Sequence, residues 1–345
     1  MRRFQQIVIP VFAACGLFVL IMDTETAIAG AQEGIGLCIR SLIPSLFPLM
    51  VVSAYFCNVY ARIKLPLLKP IMRFCRIPEG AESLFVIGIL GGYPVGAKAI
   101  ADAHRQGKLE HNAAKRMLCF CNNAGPAFIF GIVGCQFDNA LIPWLILFVQ
   151  VLSAVVTGYL IPGQTGKFTS APSTNTKNFV HTFHDSLKAI CTVCGWIILF
   201  RTLLAILYRW LFWVLPSAIQ VVLTGVLEIS NGCLALDQIQ NAGLKFIMCS
   251  GLLSFGGICV YLQTVSVSGA INTSLYFPGK FLQCLVSILL SGIVQAFVFT
   301  NEQSVSLQFF LLPTVIITIL ILVKILVSNK KTVAICGKPI YNIKN

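Results

Sequence analysis

The sequence predicts an all-α polytopic membrane protein with about eight transmembrane helices and two re-entrant hairpins, arranged as an inverted repeat. Hydrophobic residues make up 57% of the chain and charged residues 11%, and the mean hydropathy is +0.85. A soluble domain carries about 25% charged residues. In addition, apolar runs recur at the length that crosses a bilayer, and glycine and proline interrupt two shorter apolar segments.

Eight apolar runs approach the roughly 20 residues that a transmembrane helix needs. In chain order they cover residues 4–22, 41–60, 117–134, 141–161, 189–208, 244–263, 281–299 and 307–327. The first run follows Arg2 and Arg3 and also resembles a secretory signal peptide, so its cleavage stays open.

Two shorter apolar segments, 85–97 and 217–235, contain Gly, Pro or Asn and are predicted to be re-entrant hairpins. These residues free backbone amides and carbonyls that hydrocarbon cannot satisfy. Such a backbone survives at membrane depth only inside protein or beside a polar cavity. Interrupted segments of this kind indicate the binding site of a transporter.

Basic residues test this topology because they collect on the cytoplasmic side. With both termini inside, 21 of the 25 Lys and Arg residues fall in predicted inner segments. The remaining four are Arg40, Arg201, Arg209 and Lys245. The net charge of +13 therefore indicates orientation and contact with anionic membrane lipid, and nucleic-acid binding is not expected.

The two halves of the chain resemble each other weakly. Residues 85–91 align with 222–228, and residues 123–128 with 254–259. The predicted organisation is a transmembrane helix and outer amphipathic segment (1–40), a first repeat (41–161), a cytoplasmic linker (162–188), an inverted second repeat (189–300), and a last helix with a basic tail (301–345). Such repeats place a site near the midplane.

The predicted substrate site lies where the hairpin tips meet. Broken helices expose N-termini that stabilise anions, so a small carboxylate is the expected ligand. The alternative, that Asn and Ser only cap the broken helices, stays open. The candidate substrate-binding residues are Gly91, Gly92, Tyr93, Pro94, Lys98, Asn122, Asn123, Gly125, Glu228, Ser230, Asn231 and Ser254.

Glu228 and Arg201 are predicted to lie inside the membrane, where an ionised side chain costs about 2.5 to 3.5 kcal/mol on insertion scales. Such groups pair, face a cavity or carry protons. Glu228 is the better functional candidate because it lies in a broken element. Arg201 either pairs with Glu228 or lies nearer the outer interface.

The sequence predicts no enzyme activity, cofactor or metal site. It contains no phosphate-binding loop and no supported nucleophile–His–acid arrangement. The cysteine pairs at 119/121 and 191/194 lack a second pair spaced for zinc, so they are expected to be packing residues.

Four short segments carry a family resemblance: Gly91-Gly-Tyr-Pro-Val-Gly-Ala-Lys98, Gly107-Lys108, Ala113-Ala-Lys-Arg116, and Cys121-Asn-Asn-Ala-Gly-Pro-Ala-Phe-Ile-Phe-Gly131. They are similar to the YlbJ, or SpoVV, family of sporulation integral membrane proteins, grouped with proteins that bear the nucleoside-recognition (Gate) domain. The similarity extends along nearly the whole chain in span order, although the second repeat is divergent.

The resemblance implies passage of dipicolinate from the mother cell across the outer forespore membrane, with a small organic anion as the partner. The alternatives are transport of nucleosides or another small solute, and a non-transporting scaffold of the sporulation membrane. The sequence leaves both a monomer and a homo-oligomer open, and it does not decide between coupled and passive flux.

Overall fold

A computed structural model describes residues 16–60, 68–163, 166–169 and 179–299. These residues form a helical integral membrane protein without a strand among the described segments. The predicted span 307–327, most of 4–22, and the tail within 301–345 lie outside the described residues.

The helices begin and end close to glycine, proline and asparagine. In chain order they are α1 (Thr24–Leu37), α2 (Ile43–Tyr60), α3 (Lys69–Phe74), α4 (Glu82–Leu90), α5 (Val95–Arg105), α6 (His111–Met117), α7 (Pro126–Phe128), α8 (Ile142–Leu160), α9 (Phe179–Trp210), α10 (Ser217–Leu227), α11 (Ile229–Ala235), α12 (Ala242–Phe255), α13 (Gly257–Ser268) and α14 (Tyr276–Val298).

Five helical stretches of the described chain are long and apolar enough to cross a membrane. They are Thr24–Val52, Ile142–Leu160, Phe179–Trp210, Ala242–Ser268 and Thr273–Val298. The polytopic helical class is therefore confirmed. The predicted number of eight spans and the re-entrant position of the hairpins stay predictions, because the described residues show neither.

The first described span is a single bent helix. A π-helical turn, Cys38–Leu42, joins α1 directly to α2. It precedes Pro44, whose ring cannot fit the regular ladder. The predicted outer amphipathic segment is thus part of this helix. Gly30 and Gly34 bring α1 against α9, since a Cβ at Gly30 would lie 2.7 Å from Ala205 Cβ.

The structure forms a helical hairpin at each of the two predicted places. In the first hairpin, α4 and α5 fold back so closely that a Cβ added to Gly96 would lie 2.8 Å from Gly88 Cα. In the second, α10 and α11 repeat the contact: a Cβ at Gly232 would lie 2.1 Å from Gly225 Cα. Glycine is needed at these positions because the two backbones touch.

Two predicted spans differ from continuous helices. Residues 117–134 contain the end of α6, a non-helical stretch through Gly125, and α7 followed by a π-helical turn at Ile129–Val133. Residues 244–263 are broken between α12 and α13, where Gly256 and Gly257 have φ of +83° and +82°. These left-handed conformations favour glycine and end the first helix.

The helix α9 is longer than the predicted span 189–208. It has 32 residues, or about 48 Å at 1.5 Å per residue, against about 30 Å of hydrocarbon. The helix begins ten residues earlier than predicted, so its first ten residues belong to the segment predicted as a linker. Elsewhere, α14 packs between α8 and α12, which places its polar face against both repeats.

Candidate functional site

The two hairpins and the two helix breaks meet around a central cavity. Its volume is about 40 Å³, enough for a few water molecules. Both halves of the chain and the two long helices contribute to the wall. The lining residues are Leu42, Leu46, Gly92, Tyr93, Ala124, Gly125, Phe128, Val193, Ile197, Glu228, Ile229, Ser230, Val260 and Gln263.

Five of the predicted site residues line this central cavity: Gly92, Tyr93 and Gly125 from the first half, and Glu228 and Ser230 from the second. Each lies at the turn of a hairpin or at a helix break. The sequence argument therefore located the wall of the cavity, although binding of a substrate to these residues stays a prediction.

The wall of the first half is built on close backbone contact. Gly92 has φ of +72°, and a Cβ there would lie 3.0 Å from Gly125 N. Beside it, the Tyr93 hydroxyl donates to Leu253 O at 3.1 Å. Tyr93 thereby links the first hairpin to the end of α12 and exposes part of its ring to the cavity.

The wall of the second half contains a buried carboxylate. Glu228 is the N-cap of α11, where its side chain accepts hydrogen bonds from Ser230 N at 3.0 Å and Asn231 N at 2.8 Å. The Asn231 side-chain amide donates to it at 2.7 Å. Three donors thus stabilise the charge. They also occupy the α11 N-terminus, so that terminus presents a carboxylate to the cavity.

Arg201 does not pair directly with Glu228. Its guanidinium binds the carboxylate of Glu33, with a 2.9 Å bond from Nε, and donates to Asn231 Oδ1 at 2.9 Å. Asn231 in turn donates to Glu228. The pairing expected from sequence is therefore indirect, because Glu33 on α1 lies closer to Arg201 than Glu228 does.

Asn122 and Asn123 lie beside the cavity, and the Asn122 side chain connects the first helix break to three helices, α5, α13 and α14. The Asn122 side chain accepts from Ala97 N at 3.2 Å and donates to Thr264 Oγ1 and the Tyr276 hydroxyl, each at 3.0 Å. The Asn123 side chain donates to Phe120 O at 2.8 Å. The Asn123 amide thus satisfies a carbonyl of the non-helical stretch between α6 and α7, and the Asn122 amide satisfies an N–H in the first turn of α5, as capping groups do.

Lys280 is the main site residue that sequence reasoning misplaced. It was counted among the 21 basic residues of the predicted inner segments, but it lies in α14 and is 1% exposed. Its ammonium donates to Asn122 O and Gln283 Oε1, both at 2.7 Å, and to Asn123 Oδ1 at 3.2 Å. It also lies 5.1 Å from the centre of the Tyr93 ring.

The other predicted residues lie near the cavity without lining it. Gly91 and Pro94 are buried in the turn of the first hairpin. Lys98 donates to Asp185 O on α9 at 3.0 Å, which turns it away from the hairpin tip. Ser254 donates to Gln150 Oε1 at 3.2 Å, extending the polar contacts to α8.

Arg116 is also a buried basic residue, and it lies outside the cavity lining. It is 3% exposed and donates to Ile161 O at 3.1 Å, Arg76 O at 3.0 Å, Cys75 O at 2.5 Å and Gly158 O. Burial lowers the pKa of its guanidinium from the ordinary value. The residue therefore joins α6 to α8 and to the loop after α3.

Comparison with known proteins yields one informative relative, the sporulation integral membrane protein YlbJ of Bacillus subtilis (strain 168). The two are 23% identical over 322 residues, which cover 80% of this chain and 78% of the relative. The chain is a relative of YlbJ. This similarity confirms the predicted resemblance and supports the YlbJ family.

No protein-family model matches the chain, so the grouping with Gate-domain proteins stays a prediction. No solved structure matches it either.

Sequence reasoning missed the polar face of the helices that surround the YlbJ-like motifs. Gln150, Ser153, Thr264 and Gln283 are at most 2% exposed. Polar residues recurring along one face of an apolar helix are a usable signal, since such groups face the bundle interior. In the described ranges, His, Cys, Asp and Glu form no group of three that could hold a metal.

Proposed function

We propose that this protein is a membrane transporter for a small organic anion, with dipicolinate moved from the mother cell across the outer forespore membrane during sporulation. The observation that carries the proposal is the central cavity, whose wall combines hairpin turns and helix breaks from both halves of the chain. Broken elements that meet at a repeat interface are the usual construction of a transporter site. The name of the relative, a sporulation membrane protein, supports the setting.

An anionic substrate is supported by a buried ammonium outside the cavity lining and opposed by the carboxylate within the lining. The Lys280 ammonium lies behind Tyr93, and its hydrogen-bond partners in the described part of the chain are neutral oxygens. The Glu228 carboxylate, by contrast, already accepts three hydrogen bonds. The Tyr93 ring offers a planar surface to an aromatic dicarboxylate.

Entry of such a ligand requires the cavity to widen, since about 40 Å³ suits waters better than a dicarboxylate. We propose that the two hairpins separate to admit the ligand. We also propose that both termini lie on the cytoplasmic side. Hairpin movement about glycine contacts is the kind of hinge that transporters use.

The test is uptake of labelled dipicolinate by proteoliposomes that contain the purified protein, with nucleosides as alternative substrates. Saturable dipicolinate uptake supports the proposal. Nucleoside uptake alone would favour a transporter of other solutes. A folded protein that moves neither would favour a membrane scaffold and overturn the proposal.

Two glycine variants make the flux assay specific for the cavity. Gly92 and Gly107 have similar φ values of +72° and +68°, so alanine strains the backbone similarly at both. Only at Gly92 would the new methyl meet other atoms, Gly125 N at 3.0 Å. We expect Gly92→Ala to lower uptake at least about tenfold, and Gly107→Ala to retain it at equal amounts of inserted protein.

A further inference from the structure

Three oxygens surround the Lys280 ammonium inside the protein. Asn122 O and Gln283 Oε1 lie 2.7 Å from Nζ, and Asn123 Oδ1 lies 3.2 Å from it. The ammonium has three protons, so each oxygen can accept one of them. The Tyr93 ring covers a further side, with its centre 5.1 Å from Nζ.

The oxygens are oriented by contacts of their own. Gln283 Nε2 donates to Asn123 Oδ1 at 2.8 Å, and Asn123 Nδ2 donates to Phe120 O at 2.8 Å. The carbonyl of Asn122 belongs to the non-helical stretch before α7, and its side chain is bound to Thr264 and Tyr276. The cluster is therefore organised by groups other than the lysine.

Charge compensation at Lys280, in α14, differs from that at Lys245 in α12, the other lysine that is buried among the described residues. Lys245 donates to the Asp237 carboxylate at 2.8 Å. Lys280 contacts neutral oxygens, the donor type that holds a monovalent cation where transporter helices unwind. Burying a positive charge without a carboxylate partner has a desolvation cost that neutral oxygens offset only in part. Buried charges of this kind in membrane proteins usually mark a functional position.

We propose that Asn122 O, Asn123 Oδ1 and Gln283 Oε1 form a monovalent-cation site at the first helix break, and that Lys280 fills it as a covalently attached cation. A dissociable Na⁺ ion is then not needed at this position. Removing the side chain opens the site to a small external cation of the alkylammonium or alkali-metal class.

Chemical rescue of Lys280→Ala tests the site. Relative to alanine, the lysine side chain adds the atoms of n-propylammonium, which serves as the probe; neutral n-propanol is its control. We expect the melting temperature of the variant to fall and then to rise by about 5 °C at saturating propylammonium. Propanol should leave the melting temperature of the variant unchanged. The melting temperature of the wild type should change equally with sodium, potassium and choline chlorides.

Two further variants make the response specific. Lys280→Met fills the same volume without charge, so it should melt lower and gain nothing from propylammonium. Lys245→Ala removes a lysine whose acidic partner is 67% exposed, where a pair contributes little, and should show no rescue. Equal rescue of all three variants would indicate a general effect of the amine and overturn the proposal.

If Lys280→Ala does not fold, Lys280→Ala/Gln283→Glu replaces it, since a carboxylate strengthens the emptied site toward Na⁺. The absence of any cation response in the variant that folds refutes the site. Because the response is measured as thermal stability, a protein that transports no solute still tests the cation site, and the two proposals fail separately.

Discussion

Replacing Glu228 by glutamine tests whether this carboxylate is a helix cap or a proton carrier. Its oxygens accept bonds from Ser230 N, Asn231 N and the Asn231 side chain at 2.7 to 3.0 Å. The oxygen of a glutamine can retain two of these bonds, and its NH₂ group then faces the N–H of Ser230. One bond to a charged group is lost, which costs about 1.5 to 3 kcal/mol.

The substitution also removes the desolvation cost of a carboxylate that is 1% exposed. We therefore expect Glu228→Gln to lower the free energy of unfolding by about 1 to 3 kcal/mol. The measurement is reversible unfolding in mixed micelles. Glu79→Gln, at an exposed loop position, is the control and should stay within about 0.5 kcal/mol of wild type.

Double variants show which neighbours are coupled to Glu228. Arg201 reaches it only through Asn231, so Arg201→Gln should not restore the stability of Glu228→Gln. Asn231→Ala removes the cap bond from the Asn231 side chain and keeps the one from its backbone N–H, and it should be non-additive with Glu228→Gln by about 1 kcal/mol or more. Restoration by Arg201→Gln would mean that a direct ion pair exists and that the described network is wrong.

The same variant tests proton coupling. Because the three cap bonds stabilise the ionised carboxylate, we expect uptake by Glu228→Gln proteoliposomes to respond to an imposed pH gradient as wild type does. Uptake that becomes insensitive to the gradient at unchanged stability would refute the cap and make Glu228 the proton carrier.

Three other perturbations test the packing and the topology. Gly88→Ala should prevent stable folding, because its Cβ would lie 1.8 Å from Cys121 O. Gly195→Ala is the control, because its Cβ would have no atom within 4 Å, and it should be neutral or stabilising. The measurement is the melting temperature of both variants. Arg116→Lys should lower the free energy of unfolding by about 2 kcal/mol or more, because lysine cannot reach all the carbonyls that the guanidinium fork binds; a melting curve equal to wild type would contradict this. The predicted orientation is tested in a protein whose exposed native cysteines are replaced by serine. Asp138→Cys should then react with an impermeant maleimide added outside intact cells, and Lys69→Cys should not. The reverse pattern would refute the predicted orientation.

Much of the architecture follows from local sequence. A chain with 57% hydrophobic residues has more apolar surface than a protein core can bury, so its apolar helices lie in lipid. The membrane class therefore follows from composition alone. The Gly, Pro and Asn residues within 85–97 and 217–235 predicted both hairpins, because their effect on backbone geometry is local. Gly92, Tyr93, Gly125, Glu228 and Ser230 were predicted from the sequence to bind substrate; the structure places them in the cavity wall, and substrate binding stays a prediction.

The partners of charged and polar side chains depended on the tertiary structure. Lys280 meets Asn122 across 158 positions of sequence, and Arg201 meets Glu33 across 168. Hydropathy and the distribution of basic residues report which side of the membrane a segment prefers, but they carry no information on which helices pack together. A lysine near a helix end was therefore assigned to an inner segment from the sequence, and the packing of α14 against the first helix break buried it.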